Sequence, residues 1–158
     1  MADAMIVMGS GSDLEKVKVC GEILEKLGIS FEFAICSAHR TPDRVEKIIG
    51  EAADTKVFIC AAGMAAHLAG AFAARTLCPV IGIPISSSTL GGMDALLSTV
   101  QMPSGVPVAT MALDKAGAKN AAWLAAEIMA LSDPSLKQRL EDERKKMREE
   151  VERASISI

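Results

Sequence analysis

Phe31-Glu32-Phe33-Ala34-Ile35-Cys36-Ser37-Ala38-His39-Arg40-Thr41-Pro42-Asp43 is the stretch on which the fold turns. Phe31, Phe33 and Ile35 recur at every second position, the period of a strand. Thr41 followed by Pro42 reads as a helix start, with Thr as N-cap and Pro at the first helical position. Residues 37–40 then form a short loop at the carboxyl end of a strand, where open α/β sheets bind their ligands. His39 is a proton carrier and Arg40 a fixed cation beside it, a pairing suited to acid–base work on an anionic substrate.

Outward from this stretch, apolar runs and helical patterns alternate along the chain. Residues 5–8, 31–36, 57–61, 80–83 and 108–111 read as strands. Helices are predicted over 13–27, 42–53, 65–75, 93–100 and 116–131, and Gly28 closes the first as a C′ residue. Such alternation implies βαβ units and a parallel sheet with right-handed crossovers. Short, almost continuously apolar strands fit a sheet covered on both faces. Five strands predict an α/β, three-layer, flavodoxin-like winding in the order 2-1-3-4-5. Asp133-Pro134 opens a last helix that is dominated by charge from Lys137 to Arg153. Leu136, Leu140, Met147 and Val151 form a narrow apolar stripe on it. The stripe is read either as docked on its own domain or as an arm across a neighbouring subunit. Residues 1–132 are expected to form the catalytic domain and 133–158 a helical tail belonging to the same domain.

Composition excludes several classes of function. A length of 158 residues suits one domain with a real core. No apolar run approaches the roughly 18 residues of a membrane span. The start, Met1-Ala2-Asp3-Ala4, lacks the basic character of a signal peptide, so a cytoplasmic protein is expected. A net charge of −3 argues against a nucleic-acid binder held by phosphate attraction. Cys20, Cys36, Cys60 and Cys78 form no C-x-x-C pair and read as buried, reduced thiols. With one Trp and no Tyr, ring-stacking flavin or nucleobase sites are disfavoured. Twenty-five alanines allow close helix contacts, within the chain or between subunits.

Four loops should converge on the carboxyl edge. Gly9-Ser10-Gly11-Ser12-Asp13 opens the first helix, where exposed N–H groups and the helix dipole favour an anion. Ser12 with Glu15 also fits a capping box. The loop is not a dinucleotide fingerprint, because Leu14 stands where the third glycine belongs, and it lacks the G-K-[ST] ending of a P-loop. Asp13 either complements the dipole or accepts hydrogen bonds from ligand hydroxyls. The second loop holds Ser37, Ala38, His39 and Arg40. The third, Ala61-Ala62-Gly63-Met64-Ala65-Ala66-His67-Leu68, lets a ligand approach the backbone, and His67 is expected about one turn into a helix, in a supporting or packing role. The fourth runs from Pro84 to Gly92, and its hydroxyls either bind phosphate or cap the next helix. The candidate substrate-binding set is Ser10, Ser12, Asp13, Ser37, Ala38, Arg40, Gly63, Met64, Ala65, His67 and Leu68, with His39 catalytic. No metal-ligand cluster, glycosidase-like acid pair or G-x-S-x-G elbow is apparent. The residues by themselves describe an enzyme acting on a small phosphorylated anion without metal or redox cofactor.

The same loops carry a family resemblance. Met8-Gly9-Ser10-Gly11-Ser12-Asp13, Ser37-Ala38-His39-Arg40-Thr41-Pro42, Ala65-Ala66-His67-Leu68, Val100-Gln101-Met102-Pro103, Pro107-Val108-Ala109-Thr110 and Lys119-Asn120-Ala121-Ala122 follow one another in order over nearly the whole chain. The set resembles the N5-carboxyaminoimidazole ribonucleotide mutase family of de novo purine biosynthesis. That resemblance implies a homo-octamer of flavodoxin-like subunits acting on a phosphorylated imidazole nucleotide. It implies transfer of a carboxyl group from the exocyclic nitrogen to ring carbon C4, with no metal and no organic cofactor. It further implies nucleotide binding by Ser10, Asp13 and Arg40, and catalysis by His39. Two positions depart from the usual bacterial pattern Gly-Gly-Ala-Ala-His-Leu-Pro: Met64 stands for the second Gly and Ala69 for the Pro. A related branch carboxylates aminoimidazole ribonucleotide directly with carbon dioxide and resembles Ser-Ala-His-Lys, whereas Arg40 and Ala65-Ala66-His67-Leu68 match the mutase branch. A non-catalytic nucleotide or phosphate sensor would need the Ser10/Asp13 loop but not His39.

Overall fold

Alternation between apolar strands and amphipathic helices produces a five-stranded, all-parallel sheet in the order β2-β1-β3-β4-β5. The computed structural model describes residues 2–154. The strands are β1 (Ala4–Met8), β2 (Phe31–Ile35), β3 (Val57–Gly63), β4 (Val80–Ile85) and β5 (Ala109–Thr110). The helices are α1 (Leu14–Lys26), α2 (Pro42–Glu51), α3 (Leu68–Ala73), α4 (Met93–Val100), α5 (Asp114–Ala130) and α6 (Pro134–Arg153). The strand order is the predicted one.

Because successive strand residues face opposite ways, the sheet feeds two cores. Ile6, Met8, Ile59, Ala61, Ile81 and Ile83 pack beneath α1 and α5. Val7, Phe58, Cys60 and Val80 pack with Val45 and Ile48 of α2 and Leu68 and Phe72 of α3 on the other face. Phe58 and Phe72 anchor that second core with ring centroids 5.3 Å apart. Coverage is incomplete at the β2 edge, where Phe33 and Ile35 are 40% and 51% exposed.

Five of the seven alanines of α5 are consumed inside the chain. Ala118, Ala121, Ala122, Ala125 and Ala126 are fully buried in the core shared with Val17, Cys20 and Leu24 of α1. Small side chains let the two helices approach closely, so these residues supply no surface for a second subunit. The tail divides. Leu136 and Leu140 are buried in the same core, and the Arg139 guanidinium donates to the Leu27 carbonyl at 2.9 Å, satisfying the end of α1. Beyond them, Met147 and Val151 are 42% and 75% exposed.

Three local expectations are corrected. The predicted third helix begins at Leu68 rather than residue 65, because β3 runs on to Gly63 and Met64 then turns with φ +56°. His67 therefore precedes the helix instead of lying one turn inside it. Ser12 and Glu15 make no capping box: Ser10 caps a 3-10 turn, Gly11–Asp13, by accepting from the Ser12 amide at 3.3 Å. Thr41 makes no side-chain cap for α2. Its hydroxyl instead donates to the Ser37 carbonyl and accepts from the Ser37 amide, each at 3.0 Å, which clasps the loop between them.

Gly28 does terminate the first helix, with φ +71°. All four cysteines are free thiols, and Cys20, Cys36 and Cys60 are buried. Burial pushes the Cys20 thiol up to about 12, so it stays neutral near pH 7. Among the described residues, no helix is long and apolar enough to cross a membrane.

Candidate active site

Parallel strands deliver their carboxyl ends to one edge, and the loops after β1, β2, β3 and β4 meet there around a cavity of about 530 Å³. Backbone pairing continues past the strands: Gly9 donates to the Ala61 carbonyl and Cys36 to the Met8 carbonyl, each at 2.9 Å. The first three loops therefore leave the sheet as a bonded ledge rather than as independent segments.

The second loop projects His39 and Arg40 over that ledge. The Ser37 hydroxyl accepts from the Arg40 amide at 3.2 Å and from its Nε at 3.4 Å, while Arg40 Nη2 reaches the Gly9 carbonyl at 3.4 Å. Among the described residues Arg40 forms no ion pair with a carboxylate, so its charge faces the cavity uncompensated. Next to it, Ser12 Oγ lies 2.9 Å from Ser10 Oγ and 3.3 Å from Asp13 Oδ1. Asp13 is only 6% exposed, and that burial raises its carboxyl above the usual range against the opposing pull of Ser12, the Ser10 contact and Lys16.

In the same cavity lining the two histidines of the chain meet. His39 Nε2 and His67 Nδ1 are 2.7 Å apart, and the rings stand edge to face at 74°. One nitrogen donates and the other accepts, so a single proton lies between them. The cavity lining thus combines a cation and a helix start with a proton-sharing imidazole pair.

The chain matches the AIR carboxylase family profile over residues 3–150. It is 51% identical over 151 residues to the N5-carboxyaminoimidazole ribonucleotide mutase of Brucella melitensis, covering 94% of this chain and 93% of that protein. Identity to the protein of the same name from Escherichia coli is 49%, over 95% of this chain and 90% of that one. For the Bacillus subtilis protein it is 47%, over 97% and 96%. This chain belongs to the AIR carboxylase family. Among solved structures, Treponema denticola PurE superposes with a TM-score of 0.85 at 30% identity, over 94% of this chain and 92% of that one.

In this member of the family, every candidate site residue read from the sequence lines the same cavity. Gly9, Ala62 and Ser87 line it as well and were not in the candidate set. Gly9 and Ala62 offer backbone alone, which leaves no residue-type signal. Ser87 belongs to the hydroxyl-rich fourth loop, where sequence left ligand binding and capping open. The structure explains the neighbouring Gly63 directly: a Cβ there would stand 1.9 Å from Ser87 Oγ.

That fourth loop is fixed from behind by charge. Asp114 accepts from the Ser86 amide at 2.9 Å and from the Ser86 hydroxyl, and pairs with Lys16 Nζ at 2.9 Å. Lys16 also donates to the Ser86 carbonyl at 2.9 Å. Partial burial opposes the Asp114 charge, but Ser86 and Lys16 outweigh it and hold the carboxyl below its ordinary range. Met64, one of the departures noted in the sequence, sits at the cavity lining with φ +56° and 61% of its surface exposed. Its backbone adopts a region that glycine enters without steric cost, and holding methionine there costs about 1–2 kcal/mol.

Proposed function

We propose that this chain is an N5-carboxyaminoimidazole ribonucleotide mutase, and that His39 is its acid and then its base. The observation that carries the mechanism is a single cavity lined by Arg40, by Ser10, Ser12 and Asp13, and by the His39–His67 pair. Ser10, Arg40 and the N–H groups opening α1 suit the 5′-phosphate. Asp13, acceptor-rich and repelled by phosphate, suits the ribose hydroxyls. Ser12, Ser37 and Ala38 border the nucleotide, while Gly63, Met64, Ala65, His67 and Leu68 enclose the carboxyl group.

The chemistry then balances on one histidine. The His39 imidazolium gives its proton to the carbamate nitrogen. The N–C bond breaks, its electron pair stays on nitrogen, and carbon dioxide is released into the cavity. Ring carbon C4 attacks the carbon of carbon dioxide, forming the new C–C bond and a carboxylate. Neutral His39 removes the proton left on C4, restoring the aromatic ring and its own starting state. No redox change occurs, and no cofactor is needed for any step.

This reading includes a cytoplasmic homo-octamer in which a neighbouring chain completes each cavity. Its motive is the exposed apolar surface of Leu90 before α4 and of Met93, Leu97 and Val100 along it, together with the outer half of α6. In the same reading, residues 133–154 extend the α/β domain rather than form a second one, and residues 155–158 of the expected tail lie outside the described residues.

Product analysis tests the reaction. N5-carboxyaminoimidazole ribonucleotide labelled in its carboxyl group is converted in unlabelled bicarbonate. The mutase reaction keeps the label in the product. Dilution of the label identifies direct carboxylation from solution, and binding without turnover identifies a sensor. Either of the last two results overturns the proposal.

A further inference from the structure

The loop that carries His67 is held by a helix that contributes no side chain to the cavity lining. Ser98 lies in α4, and its Oγ accepts the Ala66 amide at 2.9 Å. The same hydroxyl stands 2.7 Å from the Asp94 carbonyl within its own helix, a natural acceptor for its proton. That leaves its lone pairs for Ala66. Met64 O is 3.4 Å away, so the one hydroxyl touches the loop on both sides of Ala65.

This contact answers a backbone need that the loop itself does not meet. The N-cap residue of α3 is His67, which makes no side-chain cap. Ala66 is 2% exposed, so without Ser98 its N–H would be buried and unpaired. The strained turn at Met64 gives the segment a reason to relax if released. Helix α4 is itself well anchored: Thr99 is buried, and a Cβ on Gly82 of β4 would come within 2.5 Å of Thr99 Cγ2.

We infer that Ser98 is a positioning residue: by holding the Ala66 amide it keeps the His67 imidazole within hydrogen-bond reach of His39. The inference rests on the proposed acid–base role of His39 only for its kinetic consequence. Its structural consequence stands apart from the reaction.

The test uses the full chain and two readouts. The chain has only two histidines, so isotope-labelled imidazole nitrogens report the His39–His67 hydrogen bond without ambiguity. Ser98→Ala should abolish the shared-proton signature and lower kcat about tenfold, with KM within about twofold. Ser98→Thr keeps the hydroxyl and should restore both. Ser98→Cys, a weaker acceptor of similar size, should lose the signature while folding, and serves if the alanine variant does not fold. An unchanged imidazole signature in Ser98→Ala or Ser98→Cys overturns the inference. A lost signature restored by Ser98→Thr supports it whatever the rate does, and an unchanged rate beside that loss counts instead against the acid–base reading of the pair.

Discussion

His39 and His67, 28 positions apart in the chain, bring ring nitrogens to 2.7 Å across the cavity. In the proposed mechanism, the side chain that exchanges a proton with substrate is thereby tied to a second group able to hold or supply one. For the proposed reaction this orients His39 towards the site where nitrogen is first protonated and carbon later deprotonated.

Replacing His39 with Asn removes the proton while keeping a polar side chain of similar reach. Turnover should fall about 10²- to 10⁴-fold, the usual loss for a positioned acid–base group. Nucleotide affinity, measured by calorimetry, should stay within about tenfold. Turnover close to that of the unaltered protein would remove His39 from the mechanism.

Arg40→Ala should act on binding. Arg40 has no carboxylate partner among the described residues, so removing it frees no buried charge and little stability is at stake. The expected outcome is a KM raised by about 10- to 100-fold, as for a lost charge-assisted contact, with a smaller change in kcat. The salt dependence of KM should flatten in the variant. A ligand-bound structure with the phosphate away from Ser10 and Arg40 would contradict the placement.

In the proposed reading, Asp13 trades stability for nucleotide binding. Burial raises its carboxyl above the ordinary value of 3.8, so the ionised form is penalised in the fold and not in the unfolded chain. Stability therefore increases as pH falls through the raised value, and the penalty is present in full above it. Asp13→Asn should melt a few degrees higher at neutral pH, with the gain vanishing under acid, while nucleotide binding weakens. Thermal melts across pH against substrate titrations check both parts. An asparagine variant that melts lower at neutral pH would refute this account.

The tail should behave as two halves. Leu136→Ala opens a cavity in the core and should cost about 2–5 kcal/mol in denaturant unfolding. Val151, 75% exposed, should tolerate Ser within about 0.5 kcal/mol in the single chain. If the outer half reaches across a neighbouring subunit, Val151→Ser should nonetheless shrink the assembly seen by light scattering. An active monomer at micromolar concentration would overturn the octamer and the shared cavity together.

Much of this architecture is local in origin and was therefore legible along the chain. The two-residue period of Phe31, Phe33 and Ile35, the Thr41-Pro42 start of α2 and the Gly28 stop after α1 each depend on a few neighbouring residues. Alternation of strand and helix then leaves little freedom but a parallel sheet, and a parallel sheet sends its loops to one edge. His39, Arg40, Ser10 and Asp13 could be assigned to that edge for this reason. Tertiary structure decided what depended on distant segments meeting. It brought His67 out of the predicted helix and onto His39, turned Ser87 against Gly63, and set the Ser98 hydroxyl on the Ala66 amide. It buried the α5 alanines against α1 and split the apolar stripe of α6 into a docked half and an exposed one. Period and capping are properties of a single element, whereas these contacts join elements tens of residues apart, and only the packed fold sets which of the available surfaces and hydrogen-bonding groups find each other.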